Sequence, residues 1–452
     1  MNKISYKIIK PERILAFLCG VFCTMPIVAI PFTGRIISVF TIVFIIQLLD
    51  LFLFHIRTIV RIGKNSMKLF AWLLFSIVST LSGMLLSFVY PELGVVIAYC
   101  PKILLYLAFI VLWNNAATVD NNYLIVRGLV FGSILNMLWA TLDACIWYLA
   151  GWSLNNNVFA FYIGHNGVKR ISLPLNNGLY RSGGFNHDPA HLGFLCPFLV
   201  YYALKKKDLR ILGIAVLGMI SSASTTAIVC SIVIFLVVEL DEIIYSSNRA
   251  LLNPRLTLTI ILSMVFLIIF AICLRGQIEA TIGKASQLFY SRAKSVYFSN
   301  DSSGGPRMNY IKFFPQAFDS LGFFRLTGLG FGSSGFGYSH EPSIASKIGL
   351  GLKEVYDVEN TYFDYIMDTG IIGFSIFIYF MGVLFKYYKK KMRKREMSIV
   401  DIVSMAGVVS MALSFIFYHY VVFAPQMILI IVALSNMDLC QRREEISIVF
   451  EY

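Results

Sequence analysis

The chain has few charged residues for its length. Only 14% of its 452 residues are charged, whereas 58% are hydrophobic, and the mean hydropathy is +0.73. Soluble domains carry about 25% charged residues, and a soluble fold of this composition would expose large apolar patches. The composition therefore excludes a cytosolic enzyme, a disordered chain and a disulfide-stapled scaffold. It predicts an all-α polytopic membrane protein whose apolar surface is covered by lipid.

The sequence also lacks metal-ligand and nucleotide-binding patterns. The eight cysteines have no metal-ligand spacing with histidines, and nearly all lie in apolar runs, so we interpret them as core residues. Residues 328–337 are rich in glycine but lack the Lys-Ser/Thr pair of a phosphate-binding loop. They predict a tight turn whose backbone amides can meet an anion. The net charge of +13 is typical of the Lys/Arg bias of cytoplasmic loops, so we expect no nucleic-acid partner. Because the cysteines lack metal-ligand spacing, we also expect no metal.

Apolar stretches long enough to cross a bilayer occur about twelve times along the chain. Lys and Arg residues cluster at the N-terminus and after the second, sixth and tenth stretches. All four clusters fall on one side if the helices alternate, which predicts that both ends of the chain are cytoplasmic. The stretches lie near 13–33, 35–54, 68–89, 94–113, 123–150, 190–204, 209–221, 224–241, 256–274, 363–385, 398–418 and 420–438.

This topology predicts two long loops on the outer side of the membrane. Loops longer than about 15 residues are usually functional or disordered, and the aromatic residues of these two indicate order. Within the second loop, residues 307–321 have the pattern of an amphipathic helix. The predicted segments are N-terminal transmembrane helices at 1–150, the first outer loop at 151–189, central helices at 190–274, the large outer loop at 275–362, and C-terminal helices with a cytoplasmic tail at 363–452.

Ionisable residues are concentrated where the first outer loop enters the sixth apolar stretch. Asp188 and Pro189 have a structural interpretation, because Asp caps a helix and Pro begins it. That interpretation does not account for Arg181, His187 and His191 beside the membrane. Ionisable groups at membrane depth are functional by default, so we treat Arg181 as a candidate site residue.

A second polar segment, 359–373, leads into the tenth apolar stretch. Asn360 is a candidate helix N-cap. Asp364 and Asp368 are four residues apart on one helix face, and a like-charged pair there is unfavourable. The large loop carries further cations, among them Arg307 after Gly304-Gly305-Pro306, and Arg325.

These segments occur together in an order that resembles the O-antigen polymerase (Wzy) and O-antigen ligase superfamily of bacterial envelope proteins, with the polymerases favoured. The resemblance rests on Arg-x-x-Gly-Phe-x-x-x-Pro from Arg181 to Pro189, a Ser/Thr-rich hinge at 221–226, and an arginine followed by a Gly-rich turn. It also rests on Asn360, nine residues, and then Gly370 and Gly373. Ligases carry a His before the equivalent Asn, whereas Glu359 stands there in this chain.

The resemblance implies a metal-independent oligosaccharide transferase of the GT-C type in the bacterial inner membrane, with the large loop and the active site facing the periplasm. Its substrate would be a glycan linked to undecaprenyl diphosphate within the lipid bilayer. A chain-length regulator and a flippase of the same pathway are the implied protein partners. No cofactor is implied.

In such a transferase, arginine stabilises the departing diphosphate and a base takes the proton of the acceptor hydroxyl. We assign the first role to Arg181 and Arg307. Glu359 is the first candidate base, with Asp188, His187 and His340 as alternatives. The expected substrate-binding residues are His187, Asp188, Asn360, Tyr362, Arg325 and His340.

Three other functions compete with polymerisation. An O-antigen ligase would move finished polymer to lipid A-core. A polysaccharide flippase or other transporter would usually show internal repeats and helices broken at the membrane midplane, and the sequence shows no repeat. A structural membrane subunit would not need arginines and acids clustered at the outer face.

Overall fold

The computed structural model describes residues 11–32, 35–55, 62–86, 93–116, 118–163, 171–174, 180–245, 304–339, 360–394, 397–416 and 424–450. These residues are mostly helical, with two short antiparallel hairpins. The helices are α1 (Pro11–Phe22), α2 (Val39–His55), α3 (Ser66–Leu86), α4 (Leu93–Ala116), α5 (Val119–Ala150), α6 (Leu154–Val158), α7 (Leu192–Lys206), α8 (Leu209–Ser222), α9 (Thr225–Tyr245), α10 (Gly304–Ser320), α11 (Phe324–Thr327), α12 (Ser334–Ser339), α13 (Thr361–Arg393), α14 (Ile399–Ser414) and α15 (Ala424–Phe450). The strands are β1 (Ala29–Phe32), β2 (Arg35–Ser38), β3 (Leu173–Pro174) and β4 (Tyr180–Arg181), and short 3₁₀ turns cover Ala160–Tyr162 and Pro189–His191.

Four helices of the described residues are long and apolar enough to cross a membrane. They lie at Ser66–Leu85, Val119–Ala150, Thr361–Arg393 and Ala424–Arg442. Shorter apolar helices lie at Val39–His55, Leu209–Ser222, Thr226–Val238 and Ile399–Ser414. A helical membrane protein is therefore confirmed. The count of about twelve spans and the outer location of 275–362 stay predictions, and the apolar stretch at 256–274 lies outside the described residues.

The first predicted span, 13–33, differs from the structure. Helix α1 ends at Phe22, and the chain then turns into the β1–β2 hairpin, in which Ile30 lies opposite Ile37. Pro26 and Pro31 explain the difference, because proline lacks a backbone N–H and disfavours helix at the preceding residue.

One end of the helix bundle is held by buried carboxylates. Asp438 of α15 accepts hydrogen bonds from the backbone and the hydroxyl of Ser66, at 3.0 and 2.7 Å, where α3 begins. Two residues earlier, Asn436 donates to Asp401 in the first turn of α14 at 3.0 Å. The starts of α3 and α14 therefore lie at the same end of the bundle.

The C-terminal parts of α13 and α7 meet at this same end. Lys391 contacts Asp401 at 3.1 Å, and the hydroxyl of Tyr201 donates to the sulfur of Met392 at 3.8 Å. Most Lys and Arg residues of the described part collect here, so we call it the basic end. Its cations include Lys64, Lys68, Lys205, Lys206, Lys207, Arg210, Lys386, Lys389, Lys390, Lys391, Arg393 and Lys394.

The opposite end, which we call the site end, contains the starts of α7, α9 and α13 and the ends of α3, α5, α8 and α14. The backbone N–H of Thr361 donates to the carbonyl of Phe415 at 3.0 Å, which joins the start of α13 to the end of α14. Phe331 belongs to the described part of the large loop, and its backbone N–H donates to the hydroxyl of Thr80 in α3 at 3.2 Å.

An aromatic cluster connects the large loop to the helix bundle. The ring of Trp72 lies 5.5 Å from Phe331, 5.2 Å from Tyr365 and 5.2 Å from Phe377, centroid to centroid. Edge-to-face and tilted pairs of this kind contribute about 0.5–1.5 kcal/mol each beyond their buried area. The cluster fixes the loop segment around Phe331 between α3 and α13.

Candidate functional site

Arg181 lies on the second strand of a small hairpin at the site end. It pairs with Leu173 across the hairpin, and its neighbour Tyr180 is buried. The Tyr180 ring stacks on Trp147 at a centroid distance of 4.7 Å and an interplanar angle of 9°. The backbone N–H of Tyr180 also donates to the hydroxyl of Tyr148 at 3.0 Å. The end of α5 thus provides a rigid support for this strand.

The side chain of Arg181 contacts the C-terminus of α8. Its Nε donates to the carbonyl of Ser222 at 3.4 Å, and the backbone N–H of Ser182 donates to the carbonyl of Ser221 at 3.0 Å. A helix C-terminus carries partial negative charge and attracts a cation. The chain then breaks at Ala223, whose φ of 42° is left-handed. The polar hinge predicted at 221–226 is therefore the surface that holds Arg181.

A buried carboxylate that the sequence interpretation missed lies behind Arg181. Asp143 of α5 is fully buried. Its two oxygens accept five hydrogen bonds of 2.7–3.3 Å, and all five donors are neutral. The donors are the hydroxyls of Ser153, Ser172, Tyr180 and Ser182 and the backbone N–H of Asn155. An aspartate within the apolar stretch 123–150 is the signal by which the sequence could have revealed it.

Among the residues that follow Arg181, Asp188 has a structural role and His187 remains a candidate site residue. Asp188 caps the 3₁₀ turn at Pro189–His191, and its carboxylate accepts the N–H of Ala190 at 2.6 Å. The structural interpretation of Asp188 is therefore confirmed. His187 contacts the hydroxyl of Tyr162 at 3.4 Å.

Burial lowers the pKa of His187 to about 4. The neighbouring His191 and Lys102 lower that pKa further, against the opposing effect of Asp188. His187 is therefore neutral at pH 7. In that form one ring nitrogen donates and the other accepts, so the imidazole can orient a hydroxyl group.

Asn360 and Tyr362 lie at the start of α13. The Asn360 carbonyl oxygen accepts the N–H groups of Tyr362 and Phe363 at 3.0 and 3.2 Å, so Asn360 is the N-cap. Its amide nitrogen donates to the carbonyl of Ile416 at 2.9 Å. The hydroxyl of Tyr362 donates to the carbonyl of Ala412 at 2.8 Å. Both side chains attach the start of α13 to the end of α14, and their expected binding of substrate stays a prediction.

The Gly-rich segment meets the two acids of α13. The N–H groups of Gly332 and Ser333 donate to the Asp368 carboxylate at 2.9 and 3.0 Å, and the Ser334 hydroxyl donates to Asp364 at 2.7 Å. The predicted tight turn does bind an anion, and that anion belongs to the protein itself. This is why a like-charged pair is tolerated on a buried helix face.

Gly370 interrupts α13 beside the same turn. Its φ of 64° is left-handed, and a Cβ there would overlap the carbonyl oxygen of Leu326 and the backbone of Gly328. Only glycine fits such a position without strain. The spacing from Asn360 to Gly370, with nine residues between them, therefore reflects a helix start followed by a close backbone approach.

Helix α10, which carries Arg307, packs on the start of α13. Phe314 of α10 stacks on Phe363 with ring centroids 4.3 Å apart. Arg307 lies in the first turn of α10 and about two turns before Phe314. The predicted amphipathic helix at 307–321 is confirmed as Gly304–Ser320.

The remaining predicted site residues lie elsewhere. Arg325 forms an exposed ion pair with Asp319 at 3.0 Å, a contact that contributes little to stability. Glu359 and His340 lie outside the described residues, and Glu359 directly precedes the N-cap Asn360. At the site end, Arg181 lies against the end of α8 and His187 against Tyr162, while Asn360 begins the helix on which the helix that carries Arg307 packs.

A family model for O-antigen ligase (Wzy_C) matches residues 194–378. The match begins in α7 and ends within α13, so it includes the hinge at Ser222, helix α10, the Gly-rich segment and Asn360. It confirms the resemblance to the O-antigen ligase and polymerase superfamily, whose members are glycosyltransferase-like enzymes acting on polysaccharide. Arg181, His187 and Asp143 lie before the matched residues. No curated protein matches the chain.

Proposed function

We propose that this protein polymerises oligosaccharide repeat units linked to undecaprenyl diphosphate into O-antigen or a related surface polysaccharide. In each cycle the growing chain leaves its lipid diphosphate and joins the terminal sugar of a new lipid-linked repeat unit. The observation that carries the proposal is Arg181, a cation held by the end of α8 at the same end of the bundle as the helix start at Asn360.

The chemistry of the transfer fits these residues. The acceptor hydroxyl attacks the anomeric carbon of the donor sugar, the bond from that carbon to the diphosphate oxygen breaks, and a base takes the hydroxyl proton. Negative charge develops on the leaving diphosphate, and fixed guanidinium groups stabilise it most strongly in a partly dry site. Arg181 has this role in the proposal, together with Arg307. Glu359 is the proposed base, with His187 as an orienting group.

The charge distribution supports an inner-membrane orientation. The cations of the basic end outnumber those of the site end, and cytoplasmic loops carry the excess of Lys and Arg. The site end is therefore assigned to the periplasm, where lipid-linked repeat units would approach within the bilayer. A chain-length regulator and a flippase of the same pathway are the proposed partners.

The second candidate function is O-antigen ligation, because the matched family model carries that description. A ligase would transfer finished polymer to lipid A-core. Glu359 favours the polymerase, because the ligases that the chain resembles have histidine at this place. A flippase would require no group that stabilises a leaving diphosphate.

The lipopolysaccharide ladder of a deletion strain tests the proposal against both alternatives. Loss of a polymerase leaves single repeat units on the core. Loss of a ligase leaves bare core with polymer on the carrier lipid. Loss of a flippase leaves bare core with single lipid-linked repeats on the inner leaflet. Complementation with the wild-type chain is the control for polar effects of the deletion.

A further inference from the structure

The strand that carries Arg181 is held on both sides of the arginine by one carboxylate. The hydroxyls of Tyr180 and Ser182 donate to the same oxygen of Asp143, at 2.9 and 2.7 Å. Ser172, on the adjoining segment, donates to that oxygen at 2.9 Å. Side chains at alternate positions of an extended chain point to opposite faces. The two neighbours therefore turn Arg181 away from Asp143 and toward the end of α8.

The choice of a carboxylate at this buried position needs a reason. A buried charge is costly unless hydrogen bonds satisfy it. A carboxylate has only acceptor sites, and it therefore matches a shell of five donors. An amide of the same shape would turn its NH₂ group toward some of those donors. Hydrogen bonds to an ionised acceptor are also about twice as strong as neutral ones. Asp143 thus holds this segment more firmly than a neutral side chain could.

The other side of the strand is held as well. The N–H of Ser182 and the Nε of Arg181 both donate to carbonyls at the C-terminus of α8. Asp143 itself lies in α5, and Trp147, one turn later in the same helix, stacks on Tyr180. The strand that carries Arg181 is therefore held between α5 and α8, although it belongs to a short hairpin.

We propose that Asp143 is a positioning residue for a diphosphate-binding site, and that it acts through Arg181. The ligand class is a prenyl diphosphate. This inference rests on the proposed function only in assigning the diphosphate to Arg181. In this proposal the carboxylate oxygens of Asp143 fix the guanidinium relative to α8 through Tyr180 and Ser182, so Asp143→Asn displaces the arginine without touching the ligand.

A double-mutant cycle on purified full-length protein in nanodiscs tests the coupling. The probe is farnesyl diphosphate, and the readout is its Kd. We expect Arg181→Ala and Asp143→Asn each to weaken binding by about tenfold or more, because a charge-assisted contact is lost in both. The double variant should bind no worse than Arg181→Ala alone. Residues that act through one another show non-additive effects.

Asp438→Asn is the matched control. Asp438 is also buried, and it accepts four hydrogen bonds from Asn65 and Ser66, but it lies at the basic end. It should lower the unfolding temperature and leave the Kd of folded protein within about twofold. If Asp143→Asn does not fold, Tyr180→Phe or Ser182→Ala takes the place of that variant in the cycle, because each removes one hydrogen-bond donor to Asp143.

Three results overturn the proposal. They are wild-type affinity in Asp143→Asn, losses that multiply in the double variant, and a wild-type protein that does not bind farnesyl diphosphate. A transfer assay with lipid-linked repeat units separates this inference from the proposed function. Coupled binding without transfer overturns the polymerase and leaves the positioning role intact. Transfer activity together with affinity losses that multiply in the double variant overturns the positioning role and leaves the polymerase intact.

Discussion

The backbone N–H of Gly332 donates a hydrogen bond of 2.9 Å to the carboxylate of Asp368. The two residues belong to the large loop and to α13, and Asp368 is fully buried. This bond, with its neighbour from Ser333, attaches the loop segment to the helix that begins at Asn360. The geometry of the site end therefore depends on the Asp368 carboxylate. This carboxylate occupies the place in the Gly-rich turn where an anionic ligand could otherwise bind.

Asp368→Asn should detach this turn. The substitution replaces one acceptor oxygen by an NH₂ group that faces a backbone donor, and an unsatisfied buried group costs about 1–3 kcal/mol. We expect a lower unfolding temperature in detergent and loss of the polymer ladder. Asp319→Asn is the control, because Asp319 is 73% exposed and should change neither quantity. Equal behaviour of the two variants would contradict the role of Asp368.

The sequence was sufficient for the helical membrane class, the hinge at 221–226, the helix around Arg307 and the N-cap at Asn360. Each depends on local periodicity or on a single capping residue. The partners of Asp368 and Asp143 could not be predicted, because they are brought together from distant segments. Asp368 meets Gly332, 36 residues away, and Asp143 meets Ser182, 39 residues away. Composition marks such acids as unusual, and only tertiary structure identifies their donors.

Arg181→Ala should nearly abolish polymerisation while the protein still inserts into the membrane. Loss of a group that stabilises transition-state charge costs about 100- to 1000-fold in rate. Arg181→Lys should restore part of the activity, because lysine keeps the charge but lacks the planar guanidinium fork. The measurement is the rate of transfer between lipid-linked repeat units at equal protein amount. A near-wild-type rate in Arg181→Ala would remove this residue from the site.

The topology can be checked with two single cysteines in a cysteine-free background. Arg325→Cys lies in the large loop and Lys390→Cys lies at the basic end. A membrane-impermeant thiol reagent applied to spheroplasts should label the first and not the second, because the basic end is assigned to the cytoplasm. Permeabilised cells should give labelling at both positions, which controls for reactivity. Labelling of both in intact spheroplasts contradicts the assigned orientation.

Acidification should destabilise the site through His187. Its pKa is about 4 in the folded protein, whereas an unperturbed histidine has a pKa near 6.5. The unfolded chain therefore binds more protons between these values, and the stability from neutral His187 is lost as pH falls from about 6.5 to 4. His187→Gln should show a smaller fall in unfolding temperature over that range. Identical pH profiles for the two proteins would contradict the buried neutral state.

Glu359 gives the sharpest test of the proposed chemistry. It precedes the N-cap of α13, and the positive pole of a helix N-terminus favours a carboxylate. An ionised carboxylate there can take the proton of the acceptor hydroxyl as the new glycosidic bond forms. Glu359→Gln keeps the size and hydrogen-bonding capacity of the side chain but cannot act as a base. We expect folding to be intact, the transfer rate to fall about 100- to 10,000-fold, and the ladder to shorten to one repeat unit on the core.

Asp357→Asn, two residues earlier in the chain, is the control for removing a negative charge from this segment. It should leave the ladder unchanged, because it removes a negative charge from the same segment but keeps Glu359, the proposed base. A wild-type rate in Glu359→Gln moves the base to His340 or His187, since the Asp188 carboxylate already caps a turn. Glu359→His distinguishes the two candidate functions. If this variant transfers polymer to lipid A-core, the ligase replaces the polymerase, because histidine at this place is the feature of the ligases that the chain resembles.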